Sequence, residues 1–479
     1  MNSWLAALVC TAGIAGLFYL DRDKSYTASK ALWLPIIWIL IIGSRPVSVW
    51  LGIHSASSGA PQGGENSPLD AAVFGVLLAA GIIVLMKRKR RVSKILAANW
   101  PILIYFAYCL LSVLWSDFPG IASKRWIKAL GDLAMVLVLV TEVHPIFAFD
   151  RVIARAGYVL MPLSVLFIKY FGNLGRAYSP DGALMNTGVT TNKNELGVIT
   201  LVIALGAVWR LLELFLAKRK PNRAKQLTAR GILVVFCVGV LAMAHSATSI
   251  ACFILGTTVL FVPQLRWVKR RPARVHMLVA IVLIGGGVLT IVGAESVVIH
   301  ALGRHDDLTG RKDIWAAVVP VCPNPLVGAG FESFWIGPRL QKVYSGLSSY
   351  MHVNEAHNGY IEVYLNLGLI GLILIASILV NGYRQATAAF QRNRALGGLM
   401  LAYVAAAAAY GVTEAGFRML NPMWFFLLLA AGGSTVIASS VSGSKARRPV
   451  QNASLRGMDV AAGEEPTFGL PNEQRSGAA

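Results

Sequence analysis

The sequence predicts an all-α, polytopic membrane protein with about 12–13 transmembrane helices and one large extracytoplasmic loop. Three observations predict it. Apolar residues make up 56% of the 479 positions and charged residues only 14%, whereas soluble domains carry about a quarter. Stretches of roughly 17–25 apolar residues, each long enough to cross a bilayer, recur from end to end. Between them Lys and Arg gather in short clusters, the pattern that fixes which side a loop faces.

The spans fall near 4–20, 31–53, 69–86, 99–115, 128–143, 154–171, 195–216, 231–245, 247–263, 276–293, 359–380, 395–413 and 421–438. Helices suit them because every backbone polar group must be satisfied within the bilayer. The first run, Trp4–Leu20, lacks a basic leader and is followed by Asp21, Arg22, Asp23 and Lys24, so it reads as a retained span and not a cleaved signal. The formal charge of +21 is accounted for by the interspan clusters. No basic face with interleaved aromatics points to nucleic acid. Of the five cysteines only Cys322 lies in the long polar loop, so a disulfide within that loop is excluded, and no zinc spacing occurs.

Inside signals come from Lys87–Arg91, from Lys218–Lys220 with Arg223, Lys225 and Arg230, from Arg266–Arg274, and more weakly from Arg384, Arg392 and Arg394. Alternation then places 54–68, 116–127, 172–194, 294–358 and 414–420 outside. The organisation expected is N-terminal transmembrane helices over 1–98, a transmembrane core over 99–293, a periplasmic loop over 294–358, C-terminal transmembrane helices over 359–438 and a disordered cytoplasmic tail over 439–479. A loop as long as 294–358 is usually functional. Its aromatics, Trp315, Phe331, Phe334 and Trp335, predict short helices lying on the membrane face.

Candidate chemistry gathers outside. Arg304 and Arg311 sit beside glycines, and the guanidinium fork matches phosphate oxygens; ordinary surface arginines would look the same. His357 stands at the head of a span, with a side chain able to exchange protons near neutral pH. Asn358, Glu362 and Asn366 follow at steps of four. Such a stripe either lines a wet cleft or packs on polar groups of neighbouring helices. Lys193 and Asn194 open another span, where the helix dipole favours an anion, although Lys193 could also anchor the interface. Arg176 precedes them on the same side. Lys124 and Arg125 run against the orientation rule, so a negative partner is expected near them. His305, Asp306 and Asp307 are adjacent and cannot easily converge on one ion, so no catalytic metal is expected. Glu414 and Arg418, one turn apart, are expected to pair with each other.

The ordered set Trp115-Ser116-Asp117, Thr187-Gly188 with Lys193-Asn194-Glu195-Leu196-Gly197, Leu308-Thr309-Gly310-Arg311 with Ile314-Trp315, Asn324-Pro325 with Gly328-Ala329-Gly330-Phe331, and His357-Asn358-Gly359-Tyr360 resembles the O-antigen ligase/polymerase superfamily. The form is most similar to the exopolysaccharide polymerases of the succinoglycan type. The resemblance covers about residues 100 to 438. It implies metal-independent, inverting transfer of undecaprenyl-pyrophosphate-linked oligosaccharide units at the periplasmic face of a bacterial inner membrane. It needs no cofactor, and a flippase and chain-length-control or export proteins would be partners. His357 would activate the acceptor hydroxyl, and Arg311 would hold the departing pyrophosphate. Many members carry a Ser-Arg pair where this chain reads His245-Ser246-Ala247-Thr248-Ser249, so Arg176, Lys193 or Arg304 is expected to supply the second phosphate contact. A ligase passing finished polymer to another acceptor shares this chemistry. A transporter or flippase would instead place its sites near the bilayer midplane.

Overall fold

The computed structural model describes residues 2–23, 28–53, 67–178, 182–216, 222–262, 309–347 and 353–440. The expected span at 276–293, Arg304, the His305–Asp307 group and the tail beyond 440 lie outside the described residues.

Among the described residues the chain is all-α apart from one small hairpin. In order, the helices are α1 (Ser3–Leu20), α2 (Trp33–Ile42), α3 (Val47–Trp50), α4 (Pro68–Lys87), α5 (Lys89–Ala98), α6 (Trp100–Leu111), α7 (Pro119–Val140), α8 (Pro145–Tyr170) and α9 (Gly172–Gly175). Strands β1 (Arg176–Tyr178) and β2 (Leu184–Asn186) pair antiparallel. Then come α10 (Lys193–Leu216), α11 (Arg223–Ala244), α12 (Ala247–Phe261), α13 (Thr309–Val318), α14 (Pro338–Ser345), α15 (Gly359–Arg392), α16 (Arg394–Thr413) and α17 (Pro422–Ser440). Seven of these, α1, α4, α8, α10, α11, α15 and α16, are long and apolar enough to cross a membrane, and α5 with α6 makes an eighth if the bent pair is one span.

Local sequence sets the boundaries. The side chains of Asn2, Ser67, Ser246, Asn358 and Asn393 accept the first free backbone N–H groups of α1, α4, α12, α15 and α16. The adjoining apolar runs at 231–245 and 247–263 are two helices, because His245 adopts a left-handed conformation (φ 52°) and ends α11. Two expected spans differ in detail. The run 31–53 is helical as α2 only to Ile42, where Gly43 and then Pro46 break it before the single turn of α3. The run 99–115 is α6 plus a 3-10 turn over Ser112–Trp115, meeting the basic helix α5 at 92°, an angle suited to α5 lying in the interface.

Burial separates centre from rim. The best 18-residue windows of α16 and α10 are 83% and 78% buried, against 11% for α1, so α10 and α16 form the centre while α1 shows its apolar sides to lipid. Loops and helix ends sort into two sets. At one end Arg88 pairs with Glu142 at 2.6 Å, and Arg210 and Arg230 pair with Asp21 and Asp150. At the other, residues from 112–126, 187–195, 311–357 and 413–421 touch one another. These are the groups that the Lys/Arg map separates.

The long loop folds on its own small core. Ile314 and Val318 of α13, Val343 of α14, Phe334 and Trp335 pack together with Leu365 of α15. The loop is also threaded into α15. Gly368 takes φ +65°, a value L side chains rarely adopt, and interrupts the helix. Residues of the loop fill the gap: Ala329 and Gly330 donate N–H to Leu365 and Asn366 carbonyls, while Leu369 and Ile370 donate to Pro325 and Leu326. A Cβ on Gly368 would sit 2.2 Å from the Leu326 carbonyl, and one on Gly328 (φ +70°) 2.5 Å from the Asn366 backbone. The Asn324–Phe331 motif is thus a turn that completes a helix break, and Tyr108 Oη donates to the remaining Leu367 carbonyl at 3.0 Å.

Candidate active site

The site is built where α16 ends. Helical geometry stops at Thr413, and Glu414 is extended (φ −146°, ψ 155°). Its carboxylate turns toward three residues distant in sequence. Arg311 Nη2, in the first turn of α13, donates to Glu414 Oε1 at 3.0 Å, and Arg311 Nη1 to the Thr413 carbonyl. Asn194 Nδ2 donates to Glu414 Oε2 at 3.4 Å. His357 Nδ1 lies 3.4 Å from the same oxygen and 3.0 Å from Glu355 Oε1.

His357 holds a left-handed backbone (φ 46°) immediately before the Asn358 cap, a sparsely populated conformation that surrounding bonds must enforce. The preceding peptide is clamped on both sides. Trp315 Nε1 donates to the Ala356 carbonyl at 2.8 Å, and the Ala356 N–H donates to Glu362 Oε2 at 2.9 Å. Glu332, also left-handed (φ 50°), pairs with Arg418 at 3.1 Å, and Arg418 reaches Glu355 at 3.5 Å. The result is a chain of alternating charge from Glu332 through Arg418, Glu355, His357 and Glu414 to Arg311.

That chain sets the protonation. Burial works to lower the His357 pKa, but the Glu355 carboxylate, with hydrogen bonds to Glu355 and Glu414, raises it to about 10. Burial likewise works to raise Glu355, yet the His357 imidazolium, then Arg418 and Arg311, bring it down to about 2. At neutral pH the ring is therefore a cation whose Nδ1–H points at carboxylates. Among the described residues Nε2 makes no hydrogen bond, and the side chain is 29% exposed.

Ligand atoms of Glu355, His357 and Glu414 lie within 4.8 Å of one another, close enough to hold a metal ion. Charge argues for another use. Arg418 and Arg311 already neutralise the two carboxylates, and a divalent ion would have to displace them and a proton from His357.

The structure changes several sequence expectations. Glu414 and Arg418 do not pair with each other, because the helix ends before Glu414 and their spacing is no longer a helical turn. The Asn358–Glu362–Asn366 stripe shares one face, but that face is packed and not a wet cleft. Asn366 Oδ1 accepts from Phe334 N at 3.0 Å, Glu362 Oε1 from Trp335 Nε1 at 2.7 Å, and Asn358 Nδ2 donates to the Val412 carbonyl at 2.9 Å. Glu362, expected to bind substrate, is 2% exposed and holds the His357 segment in place. Arg176 is exposed on β1, with its Nε donating to the Ile168 carbonyl at 2.8 Å. Lys193 is half-buried beside Asn194. Asn192 caps α10 through Asn194 N and Glu195 N, and Glu195 reaches back to Thr191, which accounts for the Asn-Lys-Asn-Glu run as a capping box. Arg125 is buried and donates to the backbone carbonyl of Glu332, a neutral acceptor.

Reasoning from sequence missed Glu332 and Arg418 as members of the site and used Glu355 only as a motif boundary. The one available signal was Glu355 two residues before His357, the spacing at which two side chains of extended backbone share a side. The stretch lacking the family arginine begins α12, and its Thr248 Oγ1 lies 3.0 Å from Thr413 Oγ1, next to Glu414.

Comparison with known proteins agrees with the resemblance carried by the motifs. The O-antigen ligase family profile matches residues 232–376, a segment that includes Arg311 and His357 but ends before Glu414. The exopolysaccharide production protein ExoQ of Rhizobium meliloti (strain 1021) is 26% identical over 326 residues, covering 65% of this chain and 70% of that protein.

Proposed function

We propose that the chain is a polysaccharide polymerase that joins undecaprenyl-pyrophosphate-linked oligosaccharide units at the periplasmic face of the bacterial inner membrane, with its large loop periplasmic and its tail cytoplasmic. The observation that carries this is Glu414, one carboxylate holding Arg311, His357 and Asn194 together at the head of the membrane helices. The ExoQ relative, named for exopolysaccharide production, supports polymer synthesis.

In this reading the resting cluster is a set of cations held ready by carboxylates. Arg311 and the His357 imidazolium receive the lipid pyrophosphate, with Lys193 as the further phosphate contact. Drawing Arg311 onto the diphosphate frees the Glu414 carboxylate to face the acceptor. The anomeric C–O bond to pyrophosphate breaks, and the leaving oxygen takes the electron pair. The acceptor hydroxyl oxygen forms the new C–O bond, and its proton goes to Glu414, a carboxylate base of the kind inverting sugar chemistry uses. The role implied for His357 by resemblance, base toward the acceptor, requires a neutral ring, which Glu355 disfavours. Here the ring stabilises the leaving anion. The step uses no metal.

The test is the profile of lipid-linked intermediates in cells. His357→Ala should insert normally, lose polymer by about 10²-fold or more, and accumulate single lipid-linked repeat units. Accumulation of finished polymer on its lipid instead would identify a ligase, and unchanged output would sink both.

A further inference from the structure

At the end opposite Glu414, a cavity of about 360 Å³ opens between the end of α1, the start of α8, the end of α10 and the start of α11. Arg210 lies 17 residues beyond Lys193 on α10, about 25 Å along the axis at 1.5 Å per residue. This cavity is therefore no extension of the candidate active site. Its size falls in the range of roughly 300–1,000 Å³ usual for small-ligand pockets.

Its walls are part apolar and part charged, with Arg22, Arg151, Arg155 and Arg230 set among Asp21, Asp23, Asp150 and Glu213. Phe18 belongs to α1, the helix that shows most of its surface to lipid, and Ile146 to the start of α8. Behind them Asp21 and Asp150 are taken up by Arg210 and Arg230, so the acids on that wall are already neutralised. Arg22, Arg151 and Arg155 complete the rim. The lining holds four arginines and four acids, and Arg210 behind the wall takes up two of those acids, Asp21 and Asp150.

Arg155 is the informative member. Its guanidinium stacks on the Trp33 ring at 4.4 Å, and among the described residues its N–H groups have no acceptor. Stacking fixes the plane and leaves the donor edge pointing outward, the arrangement that takes two oxygens of a phosphate at once. Trp209, on the inner wall, likewise has a buried indole N–H without an acceptor among the described residues. A cavity that has a lipid-facing helix as one wall, a preset guanidinium fork and a buried indole N–H without an acceptor among the described residues fits one class of ligand.

We propose that this cavity binds the phosphate of a membrane lipid from the leaflet opposite the candidate active site, with Arg155 and Arg22 as its contacts and the hydrocarbon leaving between α1 and α8. The full chain, purified into phosphatidylcholine nanodiscs, is titrated with phosphatidylglycerol, undecaprenyl phosphate or inorganic phosphate, and retained lipid is read by native mass spectrometry. Phosphatidylglycerol should be retained over phosphatidylcholine, and Arg155→Gln and Arg22→Gln should each weaken retention roughly tenfold. Arg155-dependent retention of undecaprenyl phosphate over phosphatidylglycerol would support a lipid phosphate and assign it to the polyprenyl class. Equal retention of phosphatidylglycerol and phosphatidylcholine, retention unchanged in both variants, or displacement of the lipid by equimolar inorganic phosphate would overturn the proposal. Arg22 is exposed, so Arg22→Gln carries the test should Arg155→Gln fail to fold.

Discussion

The two ends of the molecule each carry a network of arginines and carboxylates, and they are built differently. At the Arg210 end the central arginine is fully enclosed, and its fork is spent on Asp150 and Asp21. Arg210, Arg230 and Asp150 stand on regular helices and Asp21 directly follows one. At the Glu414 end the partners come from helix termini and loops. Two of them, Glu332 and His357, sit in left-handed backbone, and Arg311, His357 and Glu355 remain 21–29% exposed. Similar pairwise chemistry gives a closed tie in one place and an open, titratable cluster in the other. The difference lies in which groups have a donor edge left over.

The comparison breaks most easily at the closed end. Arg210→Ala takes the fully buried arginine from Asp21 and Asp150 and leaves them only Arg230, and should cost about 3 kcal/mol; loss of folded protein in membranes, read by thermal unfolding, is the measure. A well-folded Arg210→Ala protein would mean that the closed network is no more structural than the open one. Arg311→Lys should do the opposite. It keeps the charge but gives up the bidentate fork, so stability should change by less than about 1 kcal/mol while polymer output falls roughly tenfold or more. Equal losses in both assays would erase the distinction.

A pH series sharpens the contrast further. The His357 pKa is raised in the folded state, from 6.5 to about 10, so its pairing contributes fully below about 6.5 and is lost as pH rises through about 10. The Glu355 pKa is depressed from 4.5 to about 2, so its contribution is full above about 4.5 and is lost as pH falls through about 2. Melting temperature should be level across pH 4.5–6.5 and decline on either side. His357→Gln should flatten the alkaline arm and also shrink the acid arm, because it removes the imidazolium that lowers Glu355; an unaltered alkaline arm would show that the ring is not held charged. The smallest effect belongs to Glu362→Gln, which keeps one carbonyl acceptor and weakens one of three bonds, by about 1 kcal/mol. Its diagnostic is a shifted pH profile of polymer synthesis, which a purely structural weakening would leave in place.

Much of the fold was legible because apolar length and capping residues are local properties. Apart from 31–53 and 99–115, the expected spans outside 263–308 fall on described helices, and the Lys/Arg map sorts their ends as the contacts do. Gly43 and Pro46 were equally local, yet hydropathy averaged over them and missed the end of α2. The candidate site was legible by type and not by partnership. Arg311 and His357 stood out for their chemistry and their side of the membrane. Glu414 and Arg418 were paired by a helical rule that fails one residue past the end of α16. Glu332 and Glu362 could not be sorted at all, since what distinguishes a buried clamp from a binding group is the Trp335, Ala356 or Arg418 opposite it.

The interruption of α15 at Gly368 also bears on how the chain is assembled. The residues that complete the break, Pro325–Gly330, precede it in the chain and have already emerged when α15 is made. Until they dock, the N–H groups of Leu369 and Ile370 face hydrocarbon without acceptors. Insertion of α15 and closure of the preceding loop are then one event, and an excised loop would leave behind a membrane helix that cannot be completed.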